Sequence, residues 1–475
     1  MAGPECTRLR VPAWSPWAAA ALAVLIWLGW WFAPLRTHIV LRVPGSDRLE
    51  PSATTGIEES IDVFQEGRLE TGPGRPADLP GSWPGFRGAR GDGVQHDPAR
   101  LAREWPAGRP LERWAIEVGE GFAGPAIDRG RIFLMDYDRA NQRDALRCIS
   151  LADGSEIWRY SYPVAIKRNH GLTRTVPSVA GDRVIAMGPR CHVVAVETDT
   201  GAFRWGLDLV RDFGTTVPPW YTGQCPLVDG DRVILAPGGP DALLMAVHRS
   251  TGDILWRTPN PHDWKMTHSS VVPFVLEGRR FYLYCASGGV VAADADTGSI
   301  AWETGSWRIN IATVPSPVIA DDAQVFLTGG YNAGSLMLAF TLEAGRLEAR
   351  EVFRLDARTF GATQHTPIWY RGHLYGIRAD GRLVCLDRQG AVVWESGPGA
   401  NFGLGPLIIA DGLILALNDS AQLTIAEAVP TAYRPLASAS LMDGHEAWAP
   451  LALAGSHLLA RDLTRMVCLQ IGASP

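Results

Sequence analysis

From Leu111 onward the apolar residues of the chain come in short runs, each stopped by a Gly, Asp or Pro turn. Short β-branched runs with that punctuation predict strands, not helices. One pattern recurs: a proline, a few apolar residues, a turn, then a second apolar run. It is clearest in "PAIDRGRIFLM" (Pro125–Met135), "PSVAGDRVIAM" (Pro177–Met187), "PLVDGDRVILA" (Pro226–Ala236) and "PIWYRGHLYGI" (Pro367–Ile377). Fainter copies at Ser270–Tyr284, Pro317–Leu327, Pro406–Ala416 and Pro450–Ala460 bring the count to eight.

A second marker follows within most units. "DGSEIW" (Asp153–Trp158), "TGAFRW" (Thr200–Trp205), "TGDILW" (Thr251–Trp256), "TGSIAW" (Thr297–Trp302) and "QGAVVW" (Gln389–Trp394) each place a Trp four residues after a turn glycine. Between the two markers lies a third run with a small central residue, as in "VVAVE", "VVAAD" and "LVCLD". Each unit therefore reads as four short strands. Such a unit cannot bury both of its faces alone, so neighbours must stack, and a radial stack is a β-propeller. The Trp falls on the outer strand, where its broad ring can cover the gap to the next blade and its N–H needs a backbone acceptor. Units five and seven lack it and offer Phe353 and Tyr433 instead.

The two ends complete each other. The eighth unit stops at "MVCLQIGASP" without a fourth strand, while a spare one, "LERWAIEV" (Leu111–Val118), precedes the first unit. Pairing them would close the ring and remove two exposed sheet edges. The expected fold is all-β: an eight-bladed propeller of four-stranded antiparallel blades spanning 111–475, closed by an N-terminal strand.

Upstream the pattern changes. After a tail (1–16), "WAAAALAVLIWLGWWFAPL" (Trp17–Leu35) is an uncharged apolar run of nineteen residues. As a helix it would measure roughly 28 Å, enough to span the hydrocarbon layer, with Trp residues at both ends as interfacial anchors. It is long for the apolar core of a signal peptide and no clear A-x-A cleavage site follows it, which favours an uncleaved single-pass transmembrane helix over a signal peptide. Residues 36–82 are rich in Pro, Gly, Ser, Thr and Glu without a period and read as a flexible linker. A lead-in segment (83–110) begins "WPGFRGARGDGV", where the Arg-Gly-Asp triplet reads as a turn.

Composition narrows the function classes. A net charge of −6 with scattered Lys and Arg excludes a nucleic-acid footprint, which needs a clustered basic face. The seven cysteines include no C-x-x-C pair, so no disulfide framework, zinc site or haem attachment is expected. Cys148, Cys385 and Cys468 occupy the small third-strand position and read as buried hydrophobes.

"AADADTGSIAW" (Ala292–Trp302) matches the A-x-D-x-x-T-G-x-x-x-W tryptophan-docking motif, and Ala195–Trp205 and Ala246–Trp256 depart from it at one position each. On these residues the region from Trp83 to Ile471 resembles the PQQ-like propellers. With the leading "WPGFRG" it is similar to the membrane-tethered PQQ-like repeat proteins of planctomycete-type bacteria. The resemblance implies one of two roles. One is a non-catalytic protein-binding platform, like the propeller subunit of the outer-membrane barrel-assembly machine. The other is a quinone-dependent oxidoreductase holding PQQ and calcium on the axis. The chain departs from the dehydrogenases: it has no vicinal Cys-Cys pair, no large insertions between units and no recognisable set of calcium ligands.

In a propeller the segments just before each first strand meet around the axis at one mouth. Here they are polar and aromatic, and they bring Arg168, His170, Trp220, Lys265, His268, Arg308, His365 and His445 into one candidate funnel site, with Tyr221 and Trp448 as further flat faces. Cations and aromatic faces suit an anionic or flat small ligand. The four histidines come from different loops with no local ligand spacing, so a metal is not expected. No Ser-His-Asp order, phosphate loop or carboxylate pair stands out. The sequence therefore points to a membrane-anchored scaffold without catalytic residues, its propeller periplasmic or otherwise extracytoplasmic and its partners envelope or membrane proteins. The alternative is a PQQ-dependent oxidoreductase.

Overall fold

The computed structural model of the chain describes residues 62–473 apart from 98, 106 and 322, together with Leu22, Val24 and Trp27. The chain divides into two units, Met1–Ser46 and Asp47–Pro475. The apolar run Trp17–Leu35 lies outside the described residues except for Leu22, Val24 and Trp27, which have helical backbone and are exposed. Among the described residues no helix is long and apolar enough to cross a membrane.

The second unit is all-β. Eight antiparallel sheets of four consecutive strands follow one another along the chain, at 126–163, 178–208, 227–257, 272–304, 318–355, 368–395, 407–440 and, for the last, 452–470 plus one strand from the front of the chain. That front strand is Leu111–Glu117, which pairs with Arg465–Gln470 from Leu111↔Gln470 to Glu117↔Arg465. The ring shuts as the sequence requires. Units five and seven form regular four-stranded blades, and blade 5 has strands of ten residues, Gly334–Glu343 and Arg346–Leu355.

The recurring Gly-to-Trp interval has a direct geometric cause. Trp158 of blade 1 is 1% exposed and lies flat over Gly201, the turn glycine of blade 2. A Cβ on Gly201 would sit 2.6 Å from the indole, and its φ of +74° also excludes most side chains. Trp114, Trp205 and Trp256 sit over Gly154, Gly252 and Gly298 in the same way. Each indole N–H donates to a carbonyl of the next blade: Trp114 to Leu151 at 3.0 Å, Trp158 to Thr198 at 3.2 Å, Trp205 to Arg249 at 2.9 Å, and Trp256 to Ala295 at 3.1 Å.

The two weaker units solve the problem differently. Phe353 takes the Trp position, its ring over Gly390 of blade 6. Tyr433 does not. It precedes its blade's outer strand, Pro435–Ser440, and packs instead against Trp394 of blade 6, ring centroids 5.8 Å apart. Beside blade 7, Trp105 from the lead-in is buried and lines a groove with Leu441 and Met442.

Residues 62–82, read from sequence as the end of a linker, are structured. Asp62 caps a short turn of 3-10 helix, Val63–Glu66, whose Phe64 packs against Tyr162 and Phe203 at 5.2 and 5.7 Å. The strand Arg68–Thr71 then adds itself to the outer edge of blade 1, from Arg68↔Ser161 to Thr71↔Trp158. A Pro/Gly-rich composition hides such a strand because its partner lies about ninety residues away and supplies every hydrogen bond.

Candidate functional site

The lead-in segment determines the shape of the channel. The backbone of Trp83 pairs with Ile127 of blade 1, and the Pro84 carbonyl accepts from the Val179 N–H of blade 2 at 2.7 Å. Val94–Gln95 runs parallel to Leu407–Ala410 of blade 7, and the Gln95 side chain donates to the Leu453 carbonyl of blade 8. These are the first strands of their blades, which line the axis. A segment touching all of them lies across one end of the channel and plugs it.

Arg87 pins the plug. Its guanidinium donates to the carbonyls of Gly91 and Asp92 within the segment, at 3.0 and 2.9 Å, and to those of Thr366 and Pro367 at the start of blade 6, at 2.7 and 2.9 Å. Burial pulls its pKa down to about 10, so it stays charged at neutral pH. The Arg-Gly-Asp triplet is a turn, its Asp92 side chain accepting from the Val94 N–H at 2.9 Å. Arg87→Met should cost about 3 kcal/mol by leaving four carbonyls without their donor. The same change should open the chain between Trp83 and Val94 to protease. A wild-type urea midpoint with no new cleavage there would count against the pin.

Above the plug a cavity of about 220 Å³ lies on the axis. Phe86 reaches it from the plug, and Phe122, Trp220 and Trp448 line it from loops preceding blades 1, 3 and 8. Phe122 and Trp448 are stacked, centroids 5.1 Å apart and 25° between planes, with His170 edge-on to Trp448 at 5.4 Å. Trp448 is held from behind by Asp419, which accepts its indole N–H at 2.6 Å and the Leu404 N–H at 2.8 Å.

Of the eight residues expected in the funnel, His170, Trp220 and His268 line this cavity. The other five do not. Arg168 turns outward to Glu120, 2.6 Å away, and Lys265 pairs with Asp263. Arg308 and His445 are exposed. His365 lies outside the wall, its Nε2 accepting the Ile377 N–H at 2.8 Å; burial, aided by the charge of Arg87, holds its imidazole neutral down to about pH 4. Long cationic side chains at a mouth gain more from water and a surface partner than from an apolar hole.

Among the described residues that line the wall, Arg174 is the permanently charged one and none is Asp or Glu. Its guanidinium lies 5.5 Å from the Phe122 ring centre and donates to the His170 carbonyl at 2.5 Å. Burial, with the Arg174 charge, drives the His268 pKa down to about 3, so this ring is neutral. Its Nδ1 is buried and has no hydrogen-bond partner among the described residues. Cys225 also lines the cavity, but burial pushes its thiol up to about 11, which makes it a small inert wall group. His170, Trp220 and Tyr221 all have left-handed backbone, with φ of 55°, 63° and 70°. Bulky residues rarely adopt it, and such outliers cluster at ligand clamps and switches. Phe86 and Tyr331 were not legible as site residues: neither belongs to a loop preceding a first strand.

A model of the family described as outer membrane protein assembly factor BamB matches residues 105–217 and 142–396. The chain is 31% identical over 179 residues to the serine/threonine-protein kinase AfsK of Streptomyces griseus, a match covering 35% of this chain and 19% of that protein. This chain therefore spans about a fifth of the curated relative it matches. Among solved structures it is similar to BamB from Moraxella catarrhalis, with a TM-score of 0.52 and 16% identity over 76% of this chain and 100% of that one. A europium-containing methanol dehydrogenase gives a TM-score of 0.57 at 13% identity, covering 82% of this chain and 90% of the other. The quinohemoprotein alcohol dehydrogenase of Comamonas testosteroni gives 0.57 at 12%, covering 83% and 81%. At such identities the likeness to these structures is one of fold.

Proposed function

The chain belongs to the family of the outer membrane protein assembly factor BamB, and from that membership we propose that it is a non-catalytic scaffold of the cell envelope that binds other envelope proteins. The apolar run Trp17–Leu35 would tether it to the membrane, with the propeller on the extracytoplasmic side.

The observation that carries this reading is the fifth strand of blade 1. Arg68–Thr71 comes from outside the propeller, is exposed along its whole length, and is held at the blade edge by a regular antiparallel ladder. The outer edge of blade 1 thus accepts an extended segment, which is how many scaffolds take up peptides. Other outer strands stand last in their sheets, with nothing beyond them among the described residues. Ile254–Arg257 of blade 3 and Val392–Glu395 of blade 6 are two of these, and each exposes a pair of aliphatic residues, Ile254 with Leu255 and Val392 with Val393. Unpaired backbone beside exposed aliphatic side chains is a template for strand addition.

PQQ with calcium, the alternative, fits this wall poorly. Calcium takes six to eight oxygen ligands, mostly carboxylates and carbonyls, and among the described residues the cavity wall supplies no carboxylate. Among the described residues no group of three or more His, Cys, Asp or Glu is placed to hold a metal ion.

The test uses the detergent-solubilised full chain from cells supplied with PQQ and calcium. A scaffold should be colourless, inert in dye-linked alcohol oxidation, and should retain a defined envelope protein. Lys at Leu255 and Val393 together should weaken that retention about tenfold, because an edge charge blocks strand addition. A bound chromophore with turnover would reverse the assignment.

A further inference from the structure

We propose that Met187, Cys191 and Met266 form a buried site for one soft monovalent metal ion, Cu(I). The inference is independent of the scaffold reading, which concerns the blade edges.

Separate stretches of chain bring the sulfurs together. Met187 ends the second strand of blade 2, and Cys191 closes the turn that follows, its N–H donating to the Gly188 carbonyl at 3.0 Å. Met266 arrives from the loop before blade 4. The Cys191 Sγ and the Met266 Sδ stand 3.7 Å apart. Sulfurs that share one ion in a plane, at a metal–sulfur distance of about 2.3 Å, stand about 4 Å apart. This pair therefore has the spacing of shared ligands. Thr222, from the loop before blade 3, positions the third sulfur. Its hydroxyl lies 3.7 Å from the Met187 Sδ and 3.4 Å from the Met266 Sδ, so both thioethers face the same space. A methionine side chain is flexible enough to cover what distance remains. Met187, Cys191 and Thr222 are fully buried, and Met266 nearly so.

The turn carries a second sign. Cys191 has a φ of 68°, in the left-handed region that turns usually give to glycine or asparagine. A glycine would relieve that strain; the cysteine keeps it and sets a thiol beside a thioether.

Charge and softness select the ion. Thiolate and thioether are soft donors, which favour Cu(I) over Mg²⁺, Ca²⁺ or Mn²⁺. One thiolate, two neutral thioethers and a monovalent ion are neutral together, so the site escapes the penalty of burying a net charge. Zn²⁺ in the same place would leave one positive charge and an unfilled ligand position. On binding, the Cu–S bond forms as the thiol S–H bond breaks; the proton leaves to solvent and no electron moves. Val193, Val233 and Leu235 belong to the same hydrophobic cluster, are fully buried, and keep water from the ion. The way in is short. Gly223, next to Thr222, and His268, two residues from Met266, line the axial cavity.

The test is anaerobic titration of the full chain in detergent with Cu(I) against the chromogenic chelator bicinchoninate, with Ag(I) as a redox-silent second probe. About one ion per chain should be retained, and the unfolding midpoint should rise with free ion concentration. X-ray absorption at the copper edge should show a first shell of sulfur. Met187→Leu with Met266→Leu is a near-isosteric change and should weaken retention at least about tenfold. Cys191→Ala should abolish retention, whereas Cys385→Ala, in blade 6, should leave it unchanged. Should Cys191→Ala fail to fold, the paired methionine variant decides the matter. No retention against the chelator, retention that survives the loss of these sulfurs, or displacement of the ion by equimolar Zn²⁺ would overturn the proposal.

Discussion

Replacing Trp114 by Ala should lower the stability of the propeller by about 3–5 kcal/mol, as deletion of a buried aromatic does elsewhere. This tryptophan has a position that the others lack. It stands on the closing strand Leu111–Glu117, opposite Cys468 in the ladder, while its ring covers Gly154 and its N–H reaches the Leu151 carbonyl of blade 1. One side chain therefore ties the front of the chain, its tail and the first blade together. The loss should be local as well as global. Cys148, Cys191, Cys225, Cys285, Cys385 and Cys468 are all buried free thiols, and burial pushes the Cys468 thiol up to about 12. In the Ala variant a thiol reagent under native conditions should reach Cys468 ahead of Cys191 and Cys285, which lie in distant blades. A melt within a degree of the parent, or an unchanged order of thiol labelling by mass spectrometry, would show that the seam is held by something else.

The second large effect is expected at Asp144, fully buried between blades 1 and 2. It pairs across the sheet with Tyr162, whose hydroxyl lies beside the carboxylate and helps to stabilise its charge. Burial raises its pKa to about 7, against the attraction of the His192 ring, the neighbouring tyrosine hydroxyl and Arg190. Gly188 makes room for it: a Cβ there would collide with the carboxylate. The sign follows from proton counting. Between its ordinary value near 4 and about 7, the folded chain holds a proton that the unfolded chain has released. Stability should therefore fall as pH rises through that window and level off above it. The full effect is on the order of 4 kcal/mol. Asp144→Asn removes the titration, so urea midpoints of parent and variant should converge near pH 4 and diverge by pH 8. An amide carries its own burial cost at every pH, so the informative quantity is the divergence. Parallel curves would mean that Asp144 is solvated or paired in the folded chain.

The propeller was legible because its determinants are local and repeated. A turn glycine, a small third-strand residue and an outer Trp lie within about a dozen positions of one another, and most of the eight units write the same message. Even the closure could be read, since "LERWAIEV" and "MVCLQ" are the two halves of one such unit. Phe353 kept the pattern and behaves like the Trp it replaces. Tyr433 broke it by standing two residues ahead of its strand, and the ring accordingly faces the wrong blade.

The site was less legible. Its neighbourhood followed from the ring, but membership of the wall depends on where each side chain points. Arg168 and Lys265 share loops with cavity residues yet pair outward with Glu120 and Asp263. Arg174, on the same loop as Arg168, lines the wall instead. Phe86 comes from a segment with no periodicity at all, ordered only because Arg87 and the first strands of distant blades hold it.

The amino-acid sequence by itself determined the all-β class, the number of blades, the seam and the role of the tryptophans, because hydrophobic period, turn chemistry and the Gly–Trp interval act between near neighbours. Only the tertiary structure decided that the lead-in plugs the channel, that 62–82 straps blade 1, and that Arg174 with four rings forms the cavity. Those features rest on hydrogen bonds and packing between residues scores or hundreds of positions apart, and no local pattern encodes which distant carbonyl or ring will be there to meet them.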